Sequence, residues 1–485
     1  MKMREKRIGV LLLLSAFCLL SGVVHGQSQM VLPYVDQIFQ STWENPAVRP
    51  MHRFSIGLPV LSSVEVGIIQ NGFALKDVMV PRVRHGVAVA GAYDIDLGKV
   101  VAAMGKRESA LQYSEASVDL LHFRMQWRDW YFWLAGRLTT TQTLGYPRGL
   151  FEVLYKGNAA YADGQEHQVR HLGVGLESYY EFTVGFSQVK ERYAYGARLS
   201  LLTGQASAQT KFDQFTYQQS GLQENENVSM YTMRLVADGA FNTSCLPRDE
   251  QGKFEPGQFG TLEYLKQAAV PNMKNPGVAL SLGGSYKVWR ELELSLAFSD
   301  LGLIDWNDQL RTYTYNKVEV PLEPLYTGVP DLIRGKGFRK NQIRTIEPKR
   351  LTADTLAKAT RYATWLSPKM HFMVTYDILP QTQVGASFSG LYNPYLKSFY
   401  PSATLTFQQG YADWVVAQLS YSYNQYSPVN VGAALVLKPG PLQFYVVTDN
   451  FLGIIAPKLL RATNVRVGLN IAFGTHYPAS KLTFE

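Results

Sequence analysis

The chain is predicted to be all-β, a transmembrane antiparallel β-barrel of about 14–16 strands with an N-terminal plug-like segment and short helices in its loops. Three observations predict this. Strand after strand in the C-terminal half alternates with a period of two. The composition is poor in charge and rich in aromatics. The chain opens with an export signal and offers no other long apolar run.

The alternation is clearest over four segments. In Val415–Asn424, Val415, Ala417, Leu419, Tyr421 and Tyr423 alternate with Gln418, Ser420, Ser422 and Asn424. Val384, Ala386 and Phe388 face away from Gly385, Ser387 and Ser389, and Ala403, Leu405 and Phe407 from Thr404, Thr406 and Gln408. Val465, Val467, Leu469, Ile471 and Phe473 share a side opposite Arg466, Gly468 and Asn470. Successive strand residues point to opposite faces, so each set lines one face of a sheet. The small polar set is expected to face a lumen and the apolar set lipid.

Of the 485 residues, 18% are charged and 13% aromatic, with Tyr alone numbering 29. Mean hydropathy is -0.11. A wall that alternates lipid-facing with lumen-facing residues averages to such a value, and its aromatic girdles raise the Tyr count.

Residues 1–26 read as a cleaved signal peptide. Lys2–Arg7 form a basic stretch, Ile8–Leu20 an apolar core too short to span a bilayer, and Val24 and Gly26 precede a cut before Gln27. No other stretch approaches the length of a membrane-spanning helix. After cleavage Cys245 is the only cysteine, which excludes an intramolecular disulfide. Net charge is +8, of which residues 1–26 carry +3, leaving +5 with no basic run suited to nucleic acid.

Residues 27–60 contain Leu32-Pro33-Tyr34 and Asn45-Pro46-Ala47 and read as a non-strand, plug-like segment. Residues 61–474 carry the barrel and 475–485 a tail. Strands are expected near 62–69, 116–127, 131–141, 168–177, 180–189, 194–206, 227–238, 278–288, 292–298, 310–319, 365–376, 382–392, 399–409, 413–424, 429–438, 442–449 and 464–474. Short helices are expected at 94–104, 261–269 and 352–360. If the last strand ends in the periplasm, turns near Pro380, Tyr411 and Pro439 lie there too, and the gap 321–361 lies outside. That gap is basic through Arg334, Lys336, Arg339, Lys340, Arg344, Lys349 and Arg350, a collar suited to anionic cargo, lipid headgroups or a partner protein.

No catalytic or metal-binding spacing stands out. None of the eight His is followed two residues later by Ser, and neither a G-x-S-x-G elbow nor a P-loop occurs. His167 and His171 are too far apart on a strand to share a metal. Glu115 and Asp119 read as lumen-facing charges, and Asp300 and Asp305 as turn or capping residues at a strand end. No enzyme, cofactor or metal is expected.

Three segments carry a resemblance: Asn45-Pro46-Ala47 with Ile56–Val64, Ser299–Trp306, and Val467–Gly474. Together they resemble an uncharacterised family of Bacteroidota-type outer-membrane barrels with a domain of unknown function. Asn45-Pro46-Ala47 is also similar to the N-terminal signature of the long-chain fatty-acid transporter barrels, and implies a segment folded inward as a plug. The expectation is a monomeric outer-membrane barrel that passes or binds a hydrophobic or amphipathic small molecule and contacts outer-membrane lipid. The alternatives are a non-transporting accessory of protein secretion or envelope assembly, with envelope proteins as partners, and a secreted soluble β-protein.

Overall fold

The computed structural model describes residues 30–475 apart from 85–86, 157–165, 169–171, 226–227, 249–268, 323–353, 358–359, 396, 412–413, 425–426, 428 and 456–460. Fourteen antiparallel strands form a closed ring. In chain order they are β1 (His52–Gly57 and Val64–Gln70), β2 (Ser109–Trp127), β3 (Trp130–Pro147), β4 (Gly173–Val189), β5 (Tyr193–Asn225), β6 (Pro276–Lys287) and β7 (Leu292–Trp306). The ring continues through β8 (Lys369–Leu379), β9 (Thr382–Asn393), β10 (Ser398–Tyr411), β11 (Val415–Asn424), β12 (Asn430–Leu437), β13 (Leu442–Thr448) and β14 (Ala462–Thr475). Each strand pairs with the next, and both halves of β1 pair with β14 and β2 to close the circle. Closure removes sheet edges, so every wall strand has partners on both sides.

Turns of two to four residues join β2–β3, β4–β5, β6–β7, β8–β9, β10–β11 and β12–β13 at one end. The start of β1 and the end of β14 lie at that same end, His52 facing Thr475. The turns near Pro380, Tyr411 and Pro439 therefore share an end with the last strand's terminus, and the connection holding 321–361 leaves from the opposite end. Short turns on one side and long connections on the other is the usual asymmetry of membrane barrels.

Burial follows strand parity. Along β11, Gln418, Ser420, Ser422 and Asn424 are buried while Leu419, Tyr421 and Tyr423 are exposed. Leu134, Val184, Leu201, Leu405 and Phe407 face outward on other strands. At the turn end the exposed large residues become amphipathic: Trp127, Tyr193, Tyr195, Tyr286, Trp289, Tyr376, Tyr411 and Trp414. Rings with one apolar and one polar edge settle at the headgroup level, so this is an interfacial girdle. Among the described residues, no helix is long and apolar enough to cross a membrane.

Several elements differ from expectation. From Gly173 onward, the segments expected near 168–177 and 180–189 are one strand, β4, with a register shift at Ser178/Tyr179 that broke the period. The wall begins at His52, within the stretch read as 27–60. β1 is interrupted by Leu58–Ser63, which still bonds both neighbours: Val60 N donates to Asp119 O, and Leu469 N to Leu61 O. Val60 there adopts φ 65, a strained conformation for a β-branched residue. The helix expected at 352–360 is absent from its described part, where Asp354–Ala357 is a strand paired with Arg311–Leu322. Of the region 94–104, Leu97–Met104 is helical, and the Asp96 carboxylate accepts from Lys99 N. The helix expected at 261–269 lies almost wholly outside the described residues. β5 runs on for about 20 residues past its last pairing with β6 and joins Val228–Ser244 and Arg311–Leu322 in a sheet that leaves the ring.

Candidate functional site: a filled lumen

Residues 30–50 lie inside the ring and are nearly all buried. Pro33 sets the first of two short 3-10 turns, Leu32–Tyr34, and Phe39–Trp43 forms the second. Val31, Leu32, Val35 and Ile38 pack on Ala434, Val436, Tyr445 and Val447 of β12 and β13. The backbone N–H groups of Met30 and Val31 donate to Asp449 Oδ1 at 3.0 and 2.8 Å. Gln40 reaches the adjoining strands: its Nε2 donates to Ser62 O and Asp119 Oδ2, and its Oε1 accepts from Asn470 Nδ2.

Trp43 and Glu44 meet a layer of charge. The guanidinium of Arg137 lies 4.2 Å from the Trp43 ring centre and that of Arg198 4.9 Å, a pair of cation–π contacts. Arg198 Nη1 also donates to Trp43 O. The same arginines bind carboxylates, Arg137 Nε to Glu181 at 2.6 Å and Arg198 Nη2 to Asp300 at 2.5 Å. Glu44 is wedged between Lys369 Nζ at 3.5 Å and His371 Nε2 at 3.0 Å. Lys369 Nζ in turn touches Glu115 at 3.5 Å and Asp300 at 3.8 Å. Burial alone would push the Glu44 carboxyl up; Lys369, then His371 and Arg137, reverse this and hold it well below the usual carboxylate range. Such charges are tolerated away from water only because each has a counter-charge.

Asp300 reaches this layer through a bulge. Leu280 pairs with Leu301 and Leu282 with Phe298, so Ser281 faces both Ser299 and Asp300. Asp300 adopts φ 61, a conformation Asp tolerates better than most residues, and its N–H donates to Ser281 Oγ. The residue lies inside β7 and pairs with arginine, which replaces the strand-end capping role read from the sequence. Asp305 is likewise within β7, and its carboxylate accepts from Asn307 Nδ2.

Asn45, Pro46 and Ala47 descend along β5, β6 and β7 toward the turn end. Asn45 Nδ2 donates to Ser295 Oγ at 2.9 Å, while its Oδ1 accepts from Ala47 N at 2.9 Å. Asn supplies the donor and the acceptor at once; Asp would lack the donor. The wall makes room through two glycines. A Cβ on Gly283 would stand 2.3 Å from Asn45 Oδ1, and one on Gly196 2.3 Å from Pro46 O. Arg49 follows, its Nε on Glu293 at 2.9 Å and its Nη1 donating to Lys190 O.

Of the residues singled out from sequence, Asn45, Pro46, Ala47, Glu115, Asp119 and Asp300 thus converge on the lumen. The basic stretch Arg334, Lys336, Arg339, Lys340, Arg344, Lys349 and Arg350 lies outside the described residues, as does His171. Arg137, Glu181, Arg198, Lys369 and Glu44 were missed. Arg137 does leave a trace: it is the single charge in β3, at an inward-parity position among small, apolar and hydroxyl residues.

Over most of its length the chain is similar to several solved structures. The Pseudomonas putida toluene transporter TodX is 8% identical, with 93% of this chain and 95% of that one covered and a TM-score of 0.38. For the Ralstonia pickettii toluene transporter TbuX the values are 9%, 90%, 93% and 0.39. For a Pseudomonas aeruginosa FadL homologue they are 10%, 89%, 93% and 0.37. A search of the curated proteins finds no match. The family of unknown function DUF5723 matches residues 46–449, from Pro46 in the lumen to Asp449 beyond β13, and the chain belongs to that family.

Proposed function

We propose that this protein is an outer-membrane barrel whose N-terminal segment closes the lumen, and which binds and passes a small amphipathic molecule when that segment shifts. The outward apolar wall, the aromatic girdle and the expected signal peptide support the location. The observation that carries the reading is Lys369. One ammonium holds both the segment, through Glu44, and two carboxylates that border open lumen, Glu115 and Asp300. A ligand that competes for those carboxylates acts directly on the group that retains the segment.

The test fixes the segment in place. Asn45→Cys and Ser295→Cys in a Cys245→Ser background are bridged by a short bis-methanethiosulfonate, which joins the two thiols through disulfides that a reductant cleaves. Solute flux into proteoliposomes should stop on crosslinking and return on reduction. Flux unaffected by a demonstrated crosslink contradicts the reading.

A second reading, an accessory of secretion or envelope assembly, draws on the sheet in which β5 leaves the ring. A paired arm beyond the wall suits docking of an envelope protein. Crosslinking in cells from positions on Arg311–Leu322 tests it: a reproducible protein partner supports this reading, and none contradicts it.

A further inference from the structure

Above the Lys369 layer the lumen opens. A cavity of about 100 Å³ is bordered by Tyr113, Thr141, Glu177, Gln209, Asn393 and Tyr395. A narrow cleft of about 10 Å³ shares Tyr113, Thr141 and Glu177 and ends on Glu115, Asp300 and Lys369. Together they form one tapering site with the charge layer as its floor.

The roof is the connection after β9. Asn393 Nδ2 donates to Thr143 Oγ1 of β3 at 3.0 Å, and the Tyr395 hydroxyl meets the Thr210 hydroxyl of β5 at 2.5 Å. The Tyr395 ring lies on bare backbone of β4, where a Cβ on Gly173 would stand 2.2 Å from its hydroxyl. β9 and β4 are five places apart in a ring of fourteen, so the connection straps across the mouth. Side-chain hydrogen bonds from Asn393 and Tyr395 hold it.

The site's chemistry is one-sided. Arg137, Arg198 and Lys369 already answer Glu44, Glu115, Glu181 and Asp300. Glu177 adds a further carboxylate, and among the described residues no cation stands within ion-pair distance of it. Glu115, Thr141 and Glu177 are side by side in register across β2, β3 and β4. The rings of Tyr113, Tyr395 and Trp365 and the hydroxyls of Thr141 and Thr143 also line it. Carboxylate plus aromatic faces recognises an ammonium, and the same surface repels an anion.

We propose that this cavity binds a small organic cation with an aromatic or hydroxylated body, its ammonium at Glu177 and Glu115 and its body beneath the Tyr395 strap. The assignment rests on the closed-lumen reading above and names the ligand class of that lumen.

Three probes of one shape and different charge test it: tyramine, 4-ethylphenol and 4-hydroxyphenylacetate, titrated calorimetrically into the purified mature protein in detergent. Tyramine should bind about tenfold tighter than 4-ethylphenol, and the acid not measurably. Glu177→Gln should erase the gap between tyramine and 4-ethylphenol, with folding checked by heat-dependent gel mobility. Tyr395→Phe, which loses the Thr210 bond but keeps the ring, should speed association and dissociation together. Equal or tighter binding of the neutral or acidic probe, no binding of any probe, or an undiminished tyramine preference in folded Glu177→Gln overturns the assignment. Selective tyramine binding with no flux in any variant would leave the site standing and remove the conduit; flux with no selectivity does the reverse.

Discussion

Lys369 Nζ lies 3.5 Å from Glu44 Oε1, and both side chains are almost wholly shielded from solvent. This pair joins the wall to a segment more than 300 residues earlier in the chain, and it makes the lumen's contents part of the fold. Lys369→Met leaves Glu44, Glu115 and Asp300 without their shared ammonium. Removing one partner from a buried charge set costs about 3–5 kcal/mol. The expected outcome is a lower unfolding temperature and protease cleavage within residues 30–50, both read on the purified protein.

Acid should reach this contact late. Glu44 lies outside the membrane-spanning strands, and its folded pKa is depressed below the ordinary 4.5. A depressed carboxyl contributes stability that is complete above the unfolded value and lost only as pH falls through the folded one. Lowering the pH from 7 to about 5 should therefore leave protease protection of residues 30–50 unchanged through this group. Loss should appear only below the usual carboxylate range, and Glu44→Gln should remove that acid step.

Gly196→Ala should loosen the segment without touching its charges. The new methyl meets backbone at Pro46 O, which cannot rotate away as a side chain could. Overpacking of this kind costs about 1–3 kcal/mol. The expected result is faster hydrogen exchange at Ala47 and Val48 with the barrel's amides unchanged.

Trp43→Ala removes the ring under Arg137 and Arg198 and its packing on Trp133 and Phe39. Truncating a buried Trp costs about 3–5 kcal/mol. Both arginines keep their carboxylates, so the wall should stay folded while conductance in planar bilayers rises. A folded variant with unchanged conductance contradicts a closing role for Trp43.

The wall was legible because its signal is local: a period of two, read off Gln418, Ser420 and Ser422 or Thr404 and Thr406, survives without knowledge of partners. It failed where the period slips. The shift at Ser178/Tyr179 split one strand into two, and the bulge at Asp300 placed a mid-strand residue at an apparent strand end. Thr352–Thr360 has helix-compatible residues, and pairing with Thr312 and Thr314 overrides that preference over Asp354–Ala357. The lumen was far less legible. Asn45, Pro46 and Ala47 were found by resemblance, whereas Glu44 meeting Lys369, Gln40 meeting Asn470 and Trp43 meeting Arg137 are contacts between distant positions with no shared spacing.

The most direct test of the closed lumen is single-channel conductance of the mature protein against a variant lacking residues 27–50. The intact barrel should stay closed apart from brief openings, and the shortened one should conduct steadily. A steady pore of equal conductance in both would contradict the account.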